Sequence, residues 1–174
     1  MGGDPFARLG LPRAFHIGAN AVSRARVALL ARLHPDRFAD EVARAEAVRD
    51  AAEVNEAATA LRDPIQRAEA ILQSLDPLGR VASLDPKELA ELLARREAAA
   101  GLVTGSSEHT EMVEWIDAEQ ARLLGELGAA LDGAPPACEA ARRALSRYKA
   151  IVRLEASVPA LRDRAGVSQA TRLP

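Results

Sequence analysis

The chain has 174 residues, of which 48% are apolar and 28% charged, and its formal net charge is -2. This length and apolar content suit one domain of average size or two small ones with a buried core. The near balance of charge gives no global sign of nucleic-acid or membrane-surface binding. No apolar run approaches the roughly 18 residues of a membrane span.

The cysteine and histidine content limits the possible chemistry further. The single cysteine excludes an internal disulfide, and the three histidines are scattered, so no Cys/His set has the spacing of metal ligands. We therefore predict neither a metal nor a cofactor, and a reducing, cytoplasmic setting.

Helices dominate the predicted secondary structure. Aromatic residues make up only 3% of the chain, and runs that alternate in the manner of strands are absent, so we predict an all-α fold. After a short helical turn in DPFARLGLPRAF, we place the N-cap of the first long helix at Asn20. Val22, Ala25, Leu29 and Leu33 then follow at helical spacing and form one buried arc.

Residues 33–40, LHPDRFAD, interrupt this helical pattern. Pro35 disfavours helical dihedrals in the residue before it, so the helix is expected to stop there and to leave His34 and Asp36 in an exposed loop. A second long helix is predicted over residues 41–61, and a third begins at Pro64. Residues 1–75 are thus predicted to form a small domain, an antiparallel helical hairpin flanked by short helices.

The remainder of the chain is predicted to form a helical bundle. Residues 76–84 contain Pro and Gly without helical periodicity and indicate a linker. Residues 85–165 contain three helical segments with short connections, which is typical of an antiparallel three-helix bundle, and Ser107 is the expected N-cap of the second. Residues 166–174 are expected to be a tail.

Charge is unevenly distributed along the chain. Residues 85–126 hold ten acidic and four basic residues, whereas residues 20–38 hold four arginines and one acid. The two regions could prefer different partners, or both could be solvated helix faces. The four arginines are Arg24, Arg26, Arg32 and Arg37.

Two sequence strings and their order resemble a known family. HPD after a basic amphipathic helix, followed by VNEAATALRDP, resembles the J-domain of DnaJ-type co-chaperones. The longer string VNEAATALRDPIQRAEAIL and the opening DPFARLGLPRAF are similar to the HscB family of iron-sulfur co-chaperones. The resemblance covers residues 4–75 in sequence and residues 85–160 by helix pattern. It implies a bacterial cytoplasmic monomer that is not an enzyme.

The resemblance implies a DnaK/HscA-type chaperone as one partner. J-domains dock on such chaperones in the ATP-bound state and promote ATP hydrolysis. In that role Asp36 would accept charge-assisted hydrogen bonds from a chaperone arginine, Pro35 would fix the loop, and His34 would pack or donate beside it. Three basic residues would attract an acidic chaperone surface. These are Arg24, Arg32 and Arg37.

The resemblance also implies an IscU-type scaffold protein as the second partner, held by the C-terminal bundle. The family binds it with apolar and acidic residues of the first bundle helix and an aromatic residue of the last. The matching residues are Leu89, Leu93, Glu97 and Tyr148. From the residues alone, both leucines would suit the bundle core equally well, and Tyr148 would suit half-buried packing.

Two alternatives remain open at this point. The chain could be a J-domain co-chaperone that serves a different client through its acidic bundle. It could also be a helical interaction protein whose HPD sequence has lost its function.

Overall fold

The three-dimensional structure is a computed structural model, which describes residues 3–158. These residues form α-helices and one short 3-10 turn, and no strand occurs among them, so the prediction of an all-α fold is confirmed. The chain divides into two compact units between Pro77 and Leu78. No helix of the described part is long and apolar enough to cross a bilayer.

The N-terminal unit is a helical hairpin with a short helix before it and another after it. Its helices are α1 (Pro5–Leu9), α2 (Ala19–Arg32), α3 (Glu41–Arg62) and α4 (Pro64–Leu75). The other three all pack against α3, and the large side chains that are almost completely buried in this core are Phe6, Leu61, Val22 and Val54.

The start of α2 corrects the predicted N-cap. Gly18 is the cap, because its extended backbone lets its carbonyl accept the amide hydrogens of Ala21 at 2.8 Å and Val22 at 3.4 Å. Asn20 therefore lies inside the helix and is exposed. Of the predicted arc, Val22 is fully buried, whereas the other three residues are half-buried, because α2 packs on one side only.

The C-terminal unit contains α5 (Pro86–Ala100), α6 (Ser107–Leu131) and α7 (Cys138–Glu155). Both α5 and α6 pack against α7. The core contains Ile116, Leu123, Leu127 and Ile151.

The caps of this unit follow the sequence closely, with one correction. A capping box formed by Asp85 and Glu88 starts α5. The N-cap of α6 is Ser106, whose Oγ accepts the amide hydrogen of His109 at 3.1 Å, while the Ser107 hydroxyl donates to Glu111 instead. Segment 76–84 holds no helix, and the predicted tail lies outside the described residues.

Candidate functional site

The interruption at residues 34–37, here called the HPD turn, is a single 3-10 turn between α2 and α3. Pro35 holds the backbone of His34 in an extended conformation, with φ -62° and ψ 128°, so α2 cannot continue. The amide of Arg37 then donates to the His34 carbonyl at 3.0 Å, and the amide of Phe38 to the Pro35 carbonyl at 3.1 Å. These bonds give the turn a defined shape.

The side chains of the HPD turn face outward. The Asp36 side chain is 88% exposed and that of His34 is 61% exposed. The Asp36 amide donates to His34 Nδ1 at 3.4 Å, and the same nitrogen lies 3.6 Å from Asp36 Oδ2. The imidazole therefore sits beside a carboxylate that is open to a donor from another molecule.

Side-chain contacts hold this turn at the end of the hairpin. Arg44 Nη2 donates to the Phe38 carbonyl at 3.2 Å, which ties the residue after the turn to α3. Farther along the hairpin, the Nε of Arg26 donates to Asn55 Oδ1 at 2.7 Å. Arg26 is thus half-buried and joins α2 to α3.

The three other arginines of this region remain on the surface. The side chains of Arg24, Arg32 and Arg37 are exposed and form no hydrogen bond or ion pair within residues 3–158. Unpaired guanidinium groups create a positive potential that attracts an acidic surface from a distance. The N-terminal unit thus carries three unpaired arginines and an exposed carboxylate on its surface.

In the C-terminal unit, three of the four predicted contact residues lie on the surface of α5. Leu89 and Leu93 are 47% and 50% exposed, and Glu97 is also exposed. Tyr148 differs, because it is only 7% exposed. It belongs to the inward face of α7 and is a packing residue of the bundle.

A surface groove of about 590 Å³ runs beside the two exposed leucines. Leu89, Leu93 and Arg96 line it from α5, while Ala150 and Arg153 line it from α7. Sequence reasoning missed both arginines. Arg96 follows Leu93 by three residues, so helical spacing could have placed it on this face, but no local signal brings residue 153 there.

An ion cluster next to Tyr148 in sequence fixes α5 against the other two helices. Arg147, whose side chain is 12% exposed, pairs with one glutamate of α6 and two of α5. Its Nε lies 2.6 Å from Glu119 Oε1, its Nη1 2.8 Å from Glu88 Oε1, and its Nη2 3.1 Å from Glu91 Oε2. The Arg95 guanidinium carbon also lies 3.6 Å from the centre of the Trp115 ring, which adds a second link between α5 and α6.

Glu119 gives the bundle a predictable pH dependence. Hydrogen bonds from Arg122, reinforced by Arg147 and opposed by partial burial, lower its pKa from 4.5 to about 2. Because the folded-state pKa is depressed, the stabilisation is complete above the unfolded-state value and is lost as the pH falls from 4.5 towards 2. We expect the free energy of unfolding to decrease across this interval.

Urea unfolding followed by the fluorescence of Trp115, the single tryptophan, measures this dependence. Glu119→Gln should flatten the slope, since the amide does not titrate. An equal slope in the variant and the unmodified chain would contradict this assignment.

Several characterised proteins that are similar in sequence to this chain are HscB co-chaperones. No protein-family model matches the chain. It is 42% identical over 71 residues to the co-chaperone protein HscB homolog of Mannheimia succiniciproducens, a match that spans 41% of that protein. It is 29% identical over 167 residues to the HscB homolog of Aliivibrio salmonicida, covering 91% of this chain and 96% of the relative. The Azoarcus homolog is 33% identical over 129 residues, which cover 71% of this chain and 62% of the relative.

Two solved structures share the fold over nearly the whole chain. Chaperone HscB from Vibrio cholerae superposes with a TM-score of 0.72 at 27% identity and covers 98% of this chain and 100% of its own. Human co-chaperone HscB superposes with a TM-score of 0.77 at 16% identity, covering 97% of this chain and 83% of its own, which supports the fold alone. The chain is therefore similar to HscB co-chaperones over nearly its whole length, in sequence and in fold.

Proposed function

We propose that this protein is a bacterial cytoplasmic J-domain co-chaperone with two protein partners. It binds a DnaK/HscA-type chaperone in its ATP-bound state and stimulates ATP hydrolysis. It also delivers an IscU-type scaffold protein to that chaperone and so aids the assembly and transfer of iron-sulfur clusters. The observation that carries the proposal is the exposed carboxylate of Asp36 in a proline-fixed turn.

The geometry of the HPD turn supports chaperone binding. A carboxylate held in one place accepts charge-assisted hydrogen bonds from a guanidinium group without first losing conformational freedom. The unpaired Arg24, Arg32 and Arg37 would guide an acidic chaperone surface towards it. Hydrolysis is stimulated if this contact is stronger in the hydrolysis-competent conformation of the chaperone than in its other states.

The surface of α5 supports scaffold binding. Leu89 and Leu93 place about half of their side-chain surface in solvent on one helix face, and Glu97 lies one turn farther along. Neighbouring exposed leucines are a frequent mark of a protein interaction surface. Tyr148 would act indirectly, by supporting the packing of α7 within the bundle.

Calorimetric titration of the full chain with an IscU-type scaffold tests the second half of the proposal. Leu93→Ala should weaken binding about fivefold, since the interface loses about 1 kcal/mol of apolar burial. Glu97→Ala should weaken it less, because an exposed charge contributes little. Leu78→Ala is the matched control, since Leu78 is almost fully exposed and does not line the groove.

The outcomes separate the candidate functions. If the unmodified chain stimulates the chaperone but does not bind the scaffold, it serves a different client. If it does neither, it is a helical interaction protein with an inactive HPD sequence.

A further inference from the structure

The groove beside α5 has an apolar floor between two positive charges. Leu92 and Leu154 form buried parts of the floor, with the exposed Leu89 and Leu93 beside them. Arg96 stands on the α5 side and Arg153 on the α7 side, and both are exposed. A ligand that fits must therefore combine apolar surface with negative charge.

Arg96 and Arg153 lack the ion pairs that other arginines of the C-terminal unit form. Neither the Arg96 nor the Arg153 side chain forms an ion pair or hydrogen bond among the described residues, although residues 85–126 contain ten acids. By contrast, four arginines of the same three-helix unit each pair with at least one glutamate. Those are Arg95, Arg122, Arg143 and Arg147. The acids of the bundle thus leave the groove charges unneutralised.

Charge complementarity distinguishes between possible occupants. Residues 159–174 contain three arginines and one aspartate, so this segment would add positive charge to the groove. A second copy that used the same groove in a two-fold arrangement would bring the same arginines together. A different protein with carboxylates beside an apolar side chain would neutralise both guanidinium groups and cover the leucines.

We propose that the groove binds an acidic-apolar segment of the IscU-type scaffold, with Arg96 and Arg153 pairing with its carboxylates. This inference rests on the proposed function and adds the charge of the partner surface. It also distinguishes this chain from the family pattern of an apolar and acidic patch, because the groove places positive charge next to Leu89 and Leu93. The arginines therefore select for acidic residues on the scaffold and raise the rate of encounter.

The test measures scaffold affinity of the full chain at low and high ionic strength. Arg96→Glu/Arg153→Glu should lower affinity by at least about tenfold at low salt, since two favourable pairs become repulsive. The affinity of the unmodified chain should fall with added salt, and that of the double variant should not. Arg96→Gln/Arg153→Gln should give an intermediate loss of scaffold affinity. This variant removes the two positive charges without introducing negative ones.

Lys87→Glu is the matched charge reversal. Lys87 is exposed in the first turn of α5, where an acid suits the helix dipole, and it does not line the groove. The Lys87→Glu variant should bind the scaffold with the same affinity as the unmodified chain. Trp115 fluorescence and thermal unfolding should be unchanged in every variant, which establishes that the bundle is folded.

Four outcomes would overturn the inference, and they are distinguishable. Unchanged affinity in both arginine double variants, with weaker binding by Leu93→Ala, rejects the acidic partner segment and leaves the proposed function intact. No scaffold binding by the unmodified chain rejects the proposed function together with the inference. A dimer that Arg96→Glu/Arg153→Glu dissociates identifies a second copy as the occupant. Tighter scaffold binding by Leu161→Asp identifies the C-terminal segment as the occupant.

Discussion

Replacing Asp36 with asparagine is expected to reduce stimulation of the chaperone ATPase by at least about tenfold at a fixed co-chaperone concentration. Asparagine preserves the size of the side chain but removes its charge. Hydrogen bonds to charged groups contribute about 1.5–3 kcal/mol, which corresponds to roughly 10- to 150-fold in affinity. The fold should not change, because the Asp36 side chain is 88% exposed.

The measurement is the rate of ATP hydrolysis by a DnaK/HscA-type chaperone as a function of co-chaperone concentration. Glu56→Gln is the matched control, since it also removes one exposed negative charge but lies about four turns along α3 from the HPD turn. We expect the control to match the unmodified chain. Identical concentration curves for Asp36→Asn and the unmodified chain would end the assignment of Asp36 as the contact residue.

The second large effect concerns the stability of the C-terminal unit. Arg147→Leu is expected to lower its free energy of unfolding by about 3 kcal/mol, because the variant leaves Glu119, which is 11% exposed, without one of its two arginine partners. Glu88 and Glu91 lose the same partner, so α5 would be held less firmly against α7. The groove between these helices should loosen as well.

Urea unfolding monitored at Trp115 measures this change. Arg143→Leu is the control, because Arg143 forms one exposed pair with Glu139 in the same helix, and such pairs contribute at most about 1 kcal/mol. An unfolding midpoint of Arg147→Leu equal to that of Arg143→Leu would show that the ion cluster does not hold the bundle together. Scaffold affinity measured on the same variant reports whether the groove depends on the cluster.

Local rules account for most of the fold. Pro35 and Pro64 end or begin helices at the predicted places, because proline restricts its own dihedrals and those of its neighbour whatever the tertiary structure. The N-caps were less predictable. We predicted Asn20 and Ser107, but the N-caps in the structure are Gly18 and Ser106. The cap is determined by which carbonyl or hydroxyl oxygen accepts a hydrogen bond from the first free amides of the helix.

The candidate surfaces also differ in how far local sequence predicts them. The HPD turn is local in sequence, so its exposure could be foreseen from Pro35 alone. Arg147 meets Glu88 across 59 residues, and no sequence pattern identifies that pair. Tyr148 could have been recognised as buried, because it continues the inward stripe of α7 that contains Ala141, Ala144, Leu145 and Ile151.

Single-turnover ATP hydrolysis by the chaperone, with the chain, the IscU-type scaffold, both or neither present, measures whether the chain is a J-domain co-chaperone. We expect the chain alone to accelerate hydrolysis, the added scaffold to accelerate it further, and Asp36→Asn to remove the contribution of the chain. A hydrolysis rate that is the same with and without the unmodified chain, whether or not the scaffold is present, would contradict this expectation.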